Sequence, residues 1–161
     1  MPWDCFALPV EVRNWERQGP WRALPDTLVD TGSEYTWIPR GVLEELGIAP
    51  RRQQGFIVAD GRRLDRDIGY ALLRVAGSEA PDLVVFAETD DLCLLGAHSL
   101  EGLNLKVDPV RKQLVPAGPV ITAAAASRTP PDERAQGVAR AADGALRLER
   151  KIRIAPPWSM G

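Results

Sequence analysis

The stretch Asp30-Thr31-Gly32-Ser33 constrains this chain more than any other. An apolar pair, Leu28-Val29, leads into it, and the aromatic and β-branched run Tyr35-Thr36-Trp37-Ile38-Pro39 leaves it. Such flanks favour extended backbone. The centre favours a tight turn, because an Asp side chain hydrogen-bonds the backbone ahead of it and Gly takes turn angles without a Cβ clash. The pattern puts a carboxylate at the tip of a strand-turn-strand unit, with few atoms in the way of a close neighbour. Taken alone, it also fits an ordinary Asp turn.

A second element sets it apart. Leu92-Cys93-Leu94-Leu95-Gly96-Ala97-His98-Ser99-Leu100-Glu101 reads as a short buried strand ending at a Gly, then a short helix. Between the two lies Gln54-Gly55-Phe56-Ile57-Val58-Ala59-Asp60-Gly61-Arg62, where Asp-Gly between apolar runs signals a hairpin. Phe6 to Val12 predicts an opening strand, with Pro9 marking an edge or bulge. Asn14 to Pro25 reads as a loop or second hairpin arm. Pro39 opens a short helix over Arg40 to Leu46, and Gly47 ends it. Further strands are expected near 50–59, 62–76 and 82–88, and Leu103–Val107 is expected to pair with Gln113–Val115 across Asp108-Pro109. Short strands with frequent turns predict an all-β fold with two small helices.

The chain has 161 residues, enough for one domain or one domain with an appendage. Its net charge of −2 points away from nucleic acid. Residues 1–120 hold 13 Lys/Arg against 18 Asp/Glu, and residues 121–161 hold 7 against 4, so the later segment is the basic one. No apolar run is long enough to cross a bilayer, and no membrane partner or export signal is expected. Cys5 and Cys93 fit buried free thiols in a reducing cytoplasm. A lone His98 and two scattered Cys give no chelating spacing, so neither a metal nor another cofactor is expected.

The order Asp-Thr-Gly, hairpin, Leu-Leu-Gly resembles a retropepsin-like (retroviral-type) aspartic protease. The likeness is nearest to the small prokaryotic branch, with Ala59-Asp60-Gly61, Leu94-Leu95-Gly96 through Leu100-Glu101, and a late Val107-Asp108-Pro109. The resemblance implies a closed, barrel-like β domain over residues 1–117, working as a homodimer. Residues 118–161, rich in Ala, Pro and Arg, are expected to be an extension that the core folds without. Within that extension, Ala139 to Arg153 suggests a marginal helix and Ile152-Arg153-Ile154 a docking strand.

The resemblance also assigns roles. Asp30 is the catalytic carboxylate. Since the chain carries one Asp-Thr-Gly, the second carboxylate must come from Asp30 of another copy. Gly32 lets two loops meet at a two-fold axis, Thr31 donates across it, and Ser33 hydrogen-bonds the outer oxygen of Asp30. Leu28, Leu92 and Leu94 match pocket-lining positions. Val58, Ala59, Asp60 and Gly61 form a flap whose backbone binds an extended peptide with apolar side chains at the cleavage point. Viral members carry an Arg after the Leu-Gly element that ties the site to the partner subunit. Here Ala97-His98 stands in that place, so Glu34 lacks its usual partner and a weaker dimer is implied. The alternative function is a non-catalytic peptide-binding or dimerisation module on the same fold.

Overall fold

The computed structural model describes residues 5–122. Those up to Pro119 belong to one compact unit. The helix and strand expected within 139–154 lie outside the described residues.

The chain opens with strand β1 (Ala7–Asn14), which turns into β2 (Arg22–Asp30). Their register slips between Leu8 and Val10, so Pro9, which has no N–H to donate, sits at the irregularity. The Asn14 side chain closes the connection by accepting the Glu16 and Arg17 N–H groups at 2.8 and 3.0 Å. After the Asp30 turn come β3 (Thr36–Pro39) and helix α1 (Arg40–Glu45), whose Leu43 is fully buried. Gly47 follows at φ +72°, the left-handed conformation that ends helices.

The middle of the chain is a meander of β4 (Arg52–Ile57), β5 (Arg63–Val75) and β6 (Ser78–Ala87). The 13-residue β5 serves two purposes. Its first half pairs with β4 from Arg63↔Ile57 to Ile68↔Arg52, while its second half pairs with β6 and, through Ala71–Arg74, with β1. Burial follows the same division, exposed or half-buried up to Asp67 and mostly buried from Ile68. A two-residue turn joins β5 to β6, with Ala76 at φ +49° and Gly77 at φ +81°, the hand that suits twisted hairpin arms.

Strand β7 (Leu94–Gly96) and helix α2 (Ala97–Gly102) come next, then a separate hairpin of β8 (Leu105–Asp108) and β9 (Gln113–Pro116). β7 lies parallel to β2 and touches β3 at the single antiparallel pair Trp37↔Leu94. β3 runs parallel to β6. The order β1-β2-β7-β3-β6-β5 closes on itself through β1–β5, a six-stranded barrel, and β4 stands outside it as a hairpin arm. The expectation of a closed, all-β domain with two short helices is met among the described residues.

Val10, Val12, Ile38, Leu73, Phe86 and Leu95 fill the barrel interior, each with no solvent exposure. A smaller cluster of Trp37, Ile68, Val85, Ala87 and Leu94 lies on the side from which the hairpin arm projects. No helix among the described residues is long and apolar enough to cross a membrane.

Candidate active site

Asp30 is the last residue of β2, in register with Gly96 at the end of β7. Its Oδ1 accepts the Gly32 N–H at 2.9 Å, and its carbonyl accepts the Ser33 N–H at 3.2 Å. The carboxylate is thereby folded back over its own turn. Gly32 permits this, since a Cβ there would come to 3.2 Å from Asp30 Oδ1, tighter than ordinary contact.

Gly96 is the position where the two motifs interlock. An added Cβ would lie 2.4 Å from the Tyr35 carbonyl oxygen, so the chain leaving the Asp30 turn crosses directly over this glycine. Beyond the crossing, the N–H groups of Ala97 and His98 donate to the Ser33 and Glu34 carbonyls at 2.8 and 2.9 Å. The start of α2 thus clasps the Asp30 loop.

A buried polar network fastens the same crossing. The Gly96 N–H donates to Thr36 Oγ1 at 3.0 Å, and the Thr36 and Ser99 hydroxyls lie 2.5 Å apart. Ser99 donates to Asp82 Oδ2 at 2.5 Å, so the Thr36 hydroxyl must supply the proton between the two. Asp82 Oδ1 accepts the Leu83 N–H and lies 2.7 Å from His98 Nδ1. With only 5 % of its side chain exposed, Asp82 is held by these donors, as a buried carboxylate must be.

Above Asp30 lies an open cleft of about 890 Å³. Its floor comes from Asp30, Gly32 to Tyr35 and Trp37; one wall comes from the hairpin arm, residues 54–60, and the other from Asp90 to Leu92 with Leu94. The arm turns through Ala59-Asp60-Gly61, closed by Val58 N–H to the Arg62 carbonyl at 3.0 Å. The Asp60 carboxylate accepts the Arg62 N–H and pairs with its guanidinium, so it serves the turn.

Asp30, Gly32, Ser33, Val58, Ala59, Asp60, Leu92 and Leu94 therefore meet around one cleft. Three expected contacts differ, those of Leu28, Gly61 and Ser33. Leu28 does not line the cleft, because its side chain packs on the Trp37–Leu94 cluster. Gly61 stands at the bend of the arm at φ +84° and lies outside the lining, and Thr31 is exposed at the loop tip. Ser33 gives its hydroxyl to the Tyr35 carbonyl at 3.0 Å instead of to Asp30, the local side-chain turn that Ser readily forms. Cys5 and Cys93 are free thiols but only partly buried. Burial pushes the Cys93 thiol upward, partly offset by its contact with Thr27.

Sequence reasoning missed the aromatic part of the lining. Tyr35 and Trp37 share one face of β3 and its approach, and Phe56 meets both, at centroid distances of 5.9 and 5.1 Å. Their period-two spacing was the available signal. Also missed was Arg66, which grips Asp91 through Nε–Oδ2 at 2.6 Å and Nη2–Oδ1 at 3.0 Å and ties the arm to the opposite wall. Asp91 also accepts the Glu88 N–H, which fixes its own turn.

The Arg66 guanidinium beside Asp91 holds this carboxyl below its ordinary value. The folded chain therefore takes up that proton less readily than the unfolded chain. The pair stabilises the fold above the ordinary carboxylate range, and its contribution is lost as pH falls through the depressed value. Asp91→Asn should cost about 2–3 kcal/mol at neutral pH, since it leaves Arg66 largely buried without its ion-pair partner and with only the more distant Glu88 to offset its charge. Denaturant titrations should show the gap to the parent protein narrowing below about pH 4. A gap that is independent of pH would contradict this account of the pair.

Among the described residues no group of His, Cys, Asp and Glu is arranged to hold a metal. No family model and no curated protein matches the sequence. Among solved structures, the chain is similar to the simian foamy virus (mac) protease, with 20% identity and a TM-score of 0.41 over 59% of this chain and 91% of that one. It is also similar to the retroviral protease-like domain of Ddi1 from Leishmania major, with 18% identity and a TM-score of 0.45 over 68% and 87%. Both are likenesses of fold.

Proposed function

We propose that the chain is an aspartic endopeptidase that hydrolyses peptide bonds in extended peptides as a homodimer, through Asp30 of both subunits. The observation that carries this reading is the placement of Asp30 on the floor of an open cleft, beneath an arm whose outer strand β4 pairs, among the described residues, on one side only. An unpaired strand edge over a cleft suits an extended peptide, which adds to it through backbone hydrogen bonds.

Two carboxylates sharing a site do not both ionise readily, and the proposed mechanism uses the pair with one proton between them. The ionised member takes a proton from a water molecule, whose oxygen attacks the scissile carbonyl carbon. The protonated member gives its proton to the carbonyl oxygen, yielding a tetrahedral diol. Collapse of the diol breaks the C–N bond as the leaving nitrogen is protonated. Gly32 keeps the loop slim enough for two copies to meet, and Thr31, exposed at the tip, donates to the partner's backbone. The partly buried free thiols suit a reducing, cytoplasmic setting.

The reading predicts that cleavage per mole of protein falls on dilution, in step with dissociation followed by sedimentation. Glu34 has no Arg partner among the described residues, so dissociation is expected at readily reached concentrations. A species that stays monomeric throughout and cuts at full rate would overturn the shared-pair mechanism.

A further inference from the structure

The cleft is unevenly charged. Asp60 is matched by Arg62, with Nε–Oδ2 at 2.6 Å, and Asp91 is matched by Arg66. Glu34 lines the cleft with no cation beside it among the described residues, and Asp90 on the opposite wall is likewise unmatched. The rings of Tyr35, Trp37 and Phe56 belong to the same lining. Tyr35 and Phe56 meet edge to face at 83°, and Trp37 and Phe56 are tilted by 58°. Tyr35 and Phe56 are partly exposed, whereas Trp37 is buried behind them in the smaller core cluster.

We infer that this part of the cleft selects a Lys or Arg side chain of the bound peptide, with Glu34 as the specificity-determining residue. The inference rests on the reading of the cleft as a peptide groove and narrows the purely apolar substrate expected from sequence. The aliphatic stem of Lys or Arg lies along the rings, as amphipathic side chains do on apolar surface. The cationic head is attracted by the ring faces and by Glu34. An uncharged side chain of equal length fills the same space but forgoes both attractions. An acidic one is repelled by Glu34, Asp90 and Asp30 together.

The test uses short fluorescein-labelled peptides with one position, scanned along the peptide, occupied by Lys, norleucine or Glu. Binding to the full-length Asp30→Asn protein is read by anisotropy at low salt, and cleavage by the unmodified protein is followed in parallel. At one position Lys should bind about tenfold tighter than norleucine, with Glu weakest. Glu34→Gln should remove the preference for Lys, and Glu34→Lys should reverse it in favour of Glu. Equal binding of Lys and norleucine at every position, a preference indifferent to residue 34, or no binding at all would overturn the inference. Selective binding without cleavage would leave it standing and sink the peptidase reading. Cleavage without a preference for Lys would do the reverse.

Discussion

Asp30→Asn is expected to abolish peptide cleavage while leaving the barrel folded. The substitution keeps the shape of the side chain and its carbonyl oxygen, so the hydrogen bond from the Gly32 N–H survives. It removes the carboxylate that exchanges a proton with water in the proposed mechanism, and in a dimer it removes both copies at once. Proton transfer by a positioned side chain contributes about 10²–10⁴-fold to rate, so the loss should reach at least about 10³-fold. The melting temperature should shift little, because the side chain opens onto the cleft and not into the core. Cleavage at the parent rate would show that Asp30 is not catalytic.

Gly96→Ala is expected to have the largest effect on stability. An added methyl group would sit 2.4 Å from the Tyr35 carbonyl oxygen, 2.5 Å from its carbon and 2.9 Å from the Glu34 oxygen. All three are backbone atoms, pinned by the α2 clasp and by the Thr36–Ser99–Asp82 network, so none can swing aside. The main chain must separate where β7 crosses the Asp30 loop. A cost of about 3 kcal/mol or more is expected, along with a loss of cleavage as Asp30 moves. Gly41→Ala is the control. It lies inside α1 with nothing within 4 Å of an added Cβ, and it should be neutral or stabilising by up to about 1 kcal/mol. If the two variants melt alike, the crossing is not as tight as described.

What the sequence made legible was local. Asp60-Gly61, Pro39 with Gly47, and Asp108-Pro109 each act within a few residues, and each marks a turn or helix end in the structure. The Asp-Thr-Gly and Leu-Leu-Gly elements were legible as separate signals. Their meeting at Gly96, 66 positions from Asp30, was not legible. Contacts carried by strand order were hidden. Arg66 and Asp91 lie 25 positions apart and read as scattered charges until β5 leaves the barrel to form the arm. Leu28 faces the same side of β2 as Asp30, but Trp37 and Leu94 take up its side chain. Asp82 did leave a trace, because it interrupts the buried alternation of Ala80, Val84 and Phe86 on β6. A carboxylate on an apolar face needs donors, and Ser99, His98 and the Leu83 N–H supply them.

The claim that one reacting carboxylate comes from each of two subunits is tested most directly by mixing. The unmodified protein and Asp30→Asn are combined at constant total concentration, above the dimer dissociation constant, and left to exchange subunits before cleavage is measured. In a shared site a mixed dimer is inactive, so an equal mixture should retain about a quarter of the activity of the unmodified protein. A retained activity of about half, in simple proportion to the unmodified chain present, would contradict the shared site and place the whole reaction within one subunit.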